Sequence, residues 1–83
     1  MYKQDVYTKL TGFLGQKFDI ELDGTDITAD THLYDAGLID SLDSMVIISW
    51  IEKEFGVVIT LADLMRTSIN TVNETVAFIC GRG

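Results

Sequence analysis

Apolar side chains recur at three- and four-residue steps near the start of the chain, which is the spacing of an amphipathic helix. The positions that carry this period are Tyr2, Val6, Leu10, Phe13 and Leu14. They predict a first helix from about residue 2 to between residues 14 and 18, with Gly15 as a candidate end. Residues 19–39 show neither a helical nor a strand period, and they predict a long loop. A loop of this length in a compact domain usually has a function.

A second helical period runs from Ser41 to Phe55, and Gly56 is a typical helix end. Asp40 is the predicted N-cap, and Asp43 three residues later can reach back toward the helix start. Projected at about 100° per residue, the apolar residues of this helix fall into two groups. The group expected to face the core is Ile47, Ile48, Ile51 and Phe55. The second group is Leu42, Val46 and Trp50.

The second apolar group lies more than a quarter turn away from the core direction. Leu42 and Val46, close to the helix start, are therefore expected to be exposed and to contribute to a docking surface. Trp50 fits either this surface or burial in a helix that is covered on most of its sides.

The last third of the chain predicts two more helices. After a short extended link, VVIT, Thr60 can cap a brief helix over residues 61–65. Thr71 and Glu74 form a T-x-x-E capping box in front of a last helix. The predicted fold is all-α, a small four-helix bundle with a long first loop and a short third helix, in one domain over residues 1–83.

Composition excludes several classes of protein. The chain is 47% hydrophobic, which is enough for a core, but its longest apolar stretch is too short to cross a bilayer. The first residues carry no apolar run of the kind that marks a secretory signal, and no membrane insertion is expected. One cysteine cannot form an internal disulfide, so a reducing compartment is expected, by default the cytoplasm.

Charge is distributed unevenly along the chain. The formal net charge is −7, from 13 acidic and 6 basic residues, and residues 19–43 contain no Lys or Arg. Nucleic acid is not expected as a partner, because phosphate binding needs basic side chains. A basic protein surface is the natural counterpart of this stretch. The alternative is that the acidic residues only keep a small monomer in solution.

Ser41 is the candidate for chemistry. As the first helical residue it would place its hydroxyl at the positive end of the helix dipole, a favourable position for a phosphate ester. The alternative is an ordinary serine at a helix start. A serine hydrolase is not indicated, because the only histidine, His32, lies in the predicted loop and nothing nearby resembles an organised base and oxyanion hole.

Residues 19–30, DIELDGTDITAD, carry a competing motif, because they resemble the twelve-residue calcium loop of an EF-hand. Acidic residues occupy positions 1, 3, 5 and 12, and Gly24 occupies position 6. Two features oppose this interpretation: Asp30 replaces the glutamate expected at position 12, and Asp26 stands where an apolar residue is usual. The segment after the loop, THLYDAG, does not predict the exiting helix. A calcium-binding module is therefore the runner-up, and no metal site is predicted.

Residues 40–59, DSLDSMVIISWIEKEFGVVI, resemble the attachment-site helix of acyl carrier proteins and of the related peptidyl carrier proteins. The likeness extends over the chain, through LYDAGLIDSL in the loop, EKEFGV at the end of the second helix and TVNETVAFI in the last helix. In that family the serine of D-S-L receives 4′-phosphopantetheine from coenzyme A, which here implies Ser41. Partner enzymes would read its neighbours Asp40, Leu42 and Asp43. The resemblance implies a carrier and not an enzyme, with no catalytic residue of its own.

The same resemblance implies three kinds of partner: a phosphopantetheinyl transferase, an acyl- or aminoacyl-activating ligase (an adenylation enzyme), and downstream acyl-processing enzymes. Carriers of fatty acid synthesis usually read LGADSLD at the site and often have an acid where Val46 stands. This chain reads DAGLIDSL, and its second helix is apolar until Glu52. These departures favour a carrier in specialised biosynthesis that holds an aminoacyl, D-alanyl or secondary-metabolite acyl group as a thioester. A fatty acid synthesis carrier is the alternative within the family.

Overall fold

A computed structural model describes residues 2–22, 24–66 and 69–82, and it contains four helices in those ranges. In chain order they are α1 (Lys3–Phe18), α2 (Ser41–Phe55), α3 (Leu61–Arg66) and α4 (Val72–Arg82). The predicted all-α bundle with a long first loop and a short third helix is thereby confirmed. None of these helices has the length and hydrophobicity needed to cross a membrane.

The first helix continues past the glycine that the sequence offered as its end. Gly15 lies inside α1, and the chain leaves the helix at Asp19, which has a left-handed backbone with φ 58°. The amide of Ile20 then donates to the carbonyl of Leu14 over 3.1 Å, which closes the last turn. The helix ends at Phe18, within the range of residues 14–18 predicted for its end, and Gly15 is not the stop, because the αL residue that ends the helix here is Asp19.

Each of the three later helices begins with a capping box, in which the N-cap side chain and the residue three positions later bind each other's amides. The pairs are Asp40 with Asp43, Thr60 with Asp63, and Thr71 with Glu74. All three predicted caps are confirmed. The contribution of Asp63, which completes the box of α3, was not predicted.

The core is built mainly from α1 and α4. Its buried apolar side chains are Val6, Leu10, Leu14, Ile20, Leu33, Ile51, Val57, Val72, Val76 and Ile79. Among the four residues of α2 predicted to face the core, Ile51 is buried, whereas Ile47, Ile48 and Phe55 are only half-buried. The core-facing prediction is therefore confirmed for Ile51, which is buried, and for Ile47 and Phe55, which pack against the buried cluster.

The long first loop is tied to α4 by backbone and side-chain hydrogen bonds. The amide of Asn73 donates to the carbonyl of Ala29 over 2.9 Å, and its side-chain Nδ2 donates to Asp30 Oδ1 over 2.7 Å. The amide of Leu33 donates to the carbonyl of Asn70 over 3.0 Å. These contacts hold the loop against the beginning of α4, so that its last residues lead directly into α2.

Trp50 packs between α1 and the end of α2. Its ring stacks on Phe13 at a centroid distance of 4.2 Å and meets the edge of Phe55 at 5.5 Å. The open alternative for Trp50 is thereby decided in favour of packing, and only the first part of the second apolar group of α2 faces solvent.

Candidate functional site

Ser41 is the first residue of α2, and its side chain is exposed. The capping function belongs to its neighbour: Asp40 Oδ1 accepts a hydrogen bond from the amide of Asp43 over 2.8 Å. Asp43 Oδ2 in turn accepts from the amide of Asp40 over 3.1 Å. Ser41 therefore lies on a helix start whose backbone is fixed from both sides, and its hydroxyl is not the helix cap.

The approach to Ser41 is a series of tight turns. The amide of Ala36 donates to the carbonyl of His32 over 2.9 Å, and Gly37 follows with a positive φ of 77°, which a glycine adopts without strain. His32 Nδ1 accepts a hydrogen bond from the amide of Asp35 over 3.2 Å. This hydrogen bond places the His32 ring within its own turn.

Apolar side chains surround the serine on the outer side of α2. Leu42 is 73% exposed and Val46 is 40% exposed, which confirms the exposure predicted for both. Met45 is 65% exposed and lies next to them, one turn after Leu42. Sequence reasoning missed Met45, although its spacing of three residues from Leu42 was a usable signal. Because large exposed apolar side chains are uncommon in such a group, this face is a candidate contact surface.

Acidic side chains flank the same face. Asp35 and Asp40 are exposed, Asp43 is half-buried, and the sequence has no Lys or Arg from residue 18 to residue 52. Lys9 pairs with Glu54 at 3.6 Å, away from this face, and Asp35 Oδ2 lies 3.5 Å from His32 Nδ1. The start of α2 thus combines apolar side chains with uncompensated negative charge, which suits a partner with a basic surface.

A cavity of about 280 Å³ opens on the inner side of the same helix. Side chains from all four helices line it, among them Leu14 of α1, Ile48 of α2, Leu64 of α3 and Val72 of α4. Ser44, one turn after the candidate serine, also lines it. The cavity explains the half-burial of Ile48, because this side chain borders an open space and not close-packed neighbours. No local sequence pattern predicts this space.

The calcium-loop motif does not assemble as an EF-hand in the residues that are described. Asp30, its position 12, is hydrogen-bonded to Asn73, and residues 31–40 form turns where an EF-hand has its exiting helix. Asp23, its position 5, lies outside the described residues. In the described ranges no three His, Cys, Asp or Glu side chains are arranged to hold a metal ion.

Two comparisons with known proteins bear on this site. A family model described as the phosphopantetheine attachment site matches residues 8–79. An acyl carrier protein from Thermotoga maritima (strain ATCC 43589) is 30% identical over 77 residues, which is 93% of this chain and 90% of that protein. No solved structure matches the chain. The matched range contains Ser41, the loop before it and most of the buried core.

Proposed function

The chain belongs to the family of phosphopantetheine attachment domains, and from that premise we propose that Ser41 is the residue that carries the arm. The observation that supports this assignment is the exposure of Ser41 at the first position of α2, inside the D-S-L motif. A phosphodiester formed there lies at the positive end of the helix dipole. The residues present therefore fit the group.

When attached, the arm supplies a thiol on which an acyl group is held as a thioester. The contribution of this chain is to present and orient the serine. Asp40 and Asp43 fix the helix start through their reciprocal hydrogen bonds, while the hydroxyl of Ser41 stays on the outer surface. The same two carboxylates repel the phosphates of coenzyme A. Modification therefore requires a phosphopantetheinyl transferase that supplies a base, Mg²⁺ and compensating positive charge.

The partner surface is proposed to be the first two turns of α2. Asp40 and Asp43 supply the charge that attracts a basic partner, and Leu42 and Val46 supply the apolar contact. The expected partners are the transferase, a ligase that activates the cargo, and enzymes that process the bound acyl group. All of them would act on the protein in the cytoplasm.

The cargo is proposed to be an acyl group of specialised biosynthesis, because the chain reads DAGLIDSL at the site and has Val46 on the docking face. A second candidate, fatty acid synthesis, is supported by a specific observation: the mostly apolar cavity beside Ser41 suits an aliphatic chain. The similarity to the Thermotoga protein is consistent with either role. An unmodified aminoacyl group gains less from this cavity, since its ammonium would lose hydration inside it.

The assignment of Ser41 is tested by the intact mass of the protein after incubation with coenzyme A and a broad-specificity phosphopantetheinyl transferase. Wild type should gain the mass of one arm, and Ser41→Ala should gain none. Ser49→Ala is the matched control, because Ser49 is an exposed serine of the same helix. If Ser41→Ala still takes the arm, the assignment is wrong.

A further inference from the structure

The cavity beside the attachment site carries two aliphatic hydroxyl groups in a mostly apolar lining. They belong to Ser44 on α2 and to Thr75 on α4. Thr75 is only 6% exposed, and it is the one buried polar side chain in the described part of the chain. A polar side chain in such a position costs stability unless it is hydrogen-bonded, so its bonds determine what it offers to an occupant of the cavity.

Both hydroxyl groups already donate a hydrogen bond to a backbone carbonyl. Ser44 Oγ donates to the carbonyl of Asp40 over 3.1 Å, and Thr75 Oγ1 donates to the carbonyl of Thr71 over 2.8 Å. The carbonyl of Ile69, at 3.4 Å from Thr75 Oγ1, is a second acceptor for the same proton. A hydroxyl that donates keeps its lone pairs as acceptors. These two oxygens therefore keep acceptor capacity for a donor on a bound group, beside Tyr34 and Asn70, whose polar side chains also line the cavity.

The chemistry of the cavity selects among the possible donors. Among the described residues that line the cavity none is acidic, so a cationic amine would lose its hydration there without gaining a counter-charge. A plain alkyl chain fills the space but leaves both acceptors unused. A neutral hydroxyl can donate to either oxygen and needs little compensation.

We propose that this carrier favours acyl groups that bear a hydroxyl substituent, with Thr75 as the main specificity-determining residue and Ser44 as the second. The proposal rests on the proposed function, because an acyl group reaches the cavity only from an arm on Ser41. Thr75 acts by accepting the hydrogen bond of the cargo hydroxyl, while its own hydroxyl continues to donate to the Thr71 carbonyl. An ordered water on the same acceptors is the competing occupant.

The test compares three cargoes on the same protein. Octanoyl, 3-hydroxyoctanoyl and 7-hydroxyoctanoyl arms are transferred to Ser41 from the corresponding coenzyme A thioesters, and intact mass verifies each product. The measured quantity is the rate of thioester cleavage by hydroxylamine, which falls when the cargo is sheltered in the cavity. The two hydroxyl positions place the donor near either end of the acyl chain. Each rate is divided by that of octanoyl on the same variant, which cancels any general loss of stability.

Thr75→Val removes the hydroxyl at nearly constant shape, and Thr75→Ser keeps it. For at least one hydroxyacyl cargo, we expect wild type and Thr75→Ser to give a relative cleavage rate about three- to tenfold lower than Thr75→Val, the range of one net hydrogen bond. Ser44→Ala should shift the ratio in the same direction by less.

Equal ratios in wild type, Thr75→Ser and Thr75→Val would overturn the proposal, and they are also the result expected if water occupies the acceptors. Cleavage as fast as that of free acyl-pantetheine for all three cargoes would overturn it too, because the cargo would then lie outside the cavity. In both cases the mass of the loaded protein would still support modification at Ser41. Absence of loading at Ser41 is distinguishable, since it would remove the proposed function and this inference together.

Discussion

The pair α1 and α4 and the region around the start of α2 are built in different ways. α1 and α4 make the closest helix–helix contact, and together they supply Val6, Leu10, Leu14, Val72, Val76 and Ile79 to the core. By contrast, α2 contributes Ile51 as its one buried side chain, and no described side chain of α3 is buried. The pair α1 and α4 buries most of its apolar residues, whereas α2 borders the shared cavity with half-buried residues on its inner side and exposes Leu42 and Met45 outside.

This difference separates the residues that hold the fold from those available for function. α1 and α4 supply six of the ten buried apolar side chains in the described part of the chain and hence a large share of the hydrophobic stabilisation. The start of α2 needs little of it, because its position is set by the Asp40–Asp43 capping box and by the turns that precede it. Substitutions in α1 and α4 should therefore mainly change the free energy of unfolding, whereas substitutions at the start of α2 should mainly change arm transfer and loading.

The largest expected effect on stability is in the packed pair. Ile79→Ala removes a fully buried side chain of α4, and we expect a loss of about 3 kcal/mol in the free energy of unfolding. Ile48→Ala makes the same kind of change on the cavity wall, where the side chain is half-buried, and should cost about 1 kcal/mol. Urea unfolding of both variants measures the two values. Equal losses would show that the two regions are packed equally well.

The next effect concerns recognition. Val46→Glu places a charge on the outer side of α2, where Val46 is 40% exposed, so the fold should be unaffected. We expect the rate of loading by the activating ligase to fall roughly five- to thirtyfold, because an apolar contact is replaced by a charge. This change corresponds to about 1–2 kcal/mol of lost interaction free energy.

The matched control is Val58→Glu, since Val58 is an exposed valine outside the three apolar residues of α2. It should load at the wild-type rate. Rates are measured at low and high salt. If Val46→Glu loads normally, or if wild-type loading collapses with modest salt, charge and not the apolar face governs recognition.

A smaller pair of effects compares the loss of the N-cap at the start of α2 with the same loss at the start of α4. Asp40→Ala and Thr71→Ala each remove the N-cap of a capping box, and each should cost about 1 kcal/mol of stability. Only Asp40→Ala should also slow arm transfer to Ser41, because Asp40 fixes the backbone on which the serine stands. Chemical unfolding and the rate of mass gain give the two readings. An equal slowing by Thr71→Ala would mean that overall stability controls transfer.

The sequence predicted what depends on neighbours along the chain. The capping boxes of Asp40 and Thr71, the end of α2 at Gly56 and the exposure of Leu42 follow from spacing alone, and all are present. The end of α1 at Phe18 falls within the predicted range, but the residue that ends the helix was not identified, because an aspartate with a left-handed backbone carries a weaker signal than a glycine. The modification proposed at Ser41 came from the resemblance, because spacing left Ser41 open between a modified residue and an ordinary helix start.

Features that depend on contacts between residues far apart in the chain could not be predicted from the sequence. The cavity lies between side chains of all four helices, and the presence of Ser44 and Thr75 in its lining depends on how α2 and α4 pack together. The contact between Asp30 and Asn73, 43 residues apart, likewise could not be read from the calcium-like motif. A period identifies which side of a helix is apolar, but not whether a neighbour fills the space beside it.

The smallest effects are expected from two glycine substitutions, one on an open surface of α1 and one in the tight turn after α2. Gly12 lies in the middle of α1, and a Cβ added there would meet no atom within 4 Å. Gly12→Ala should therefore raise the free energy of unfolding by about 0.5–1 kcal/mol, because alanine loses less backbone entropy in a helix. Gly56 also has open space around it, but its φ is 67°, so Gly56→Ala should lower stability by about 1 kcal/mol. Urea midpoints of the two variants should move in opposite directions.

Since α1 carries the core and not the proposed docking face, Gly12→Ala should leave arm transfer to Ser41 unchanged. Slower transfer in this stabilised variant would place a partner contact on α1 and would weaken the division between the two regions.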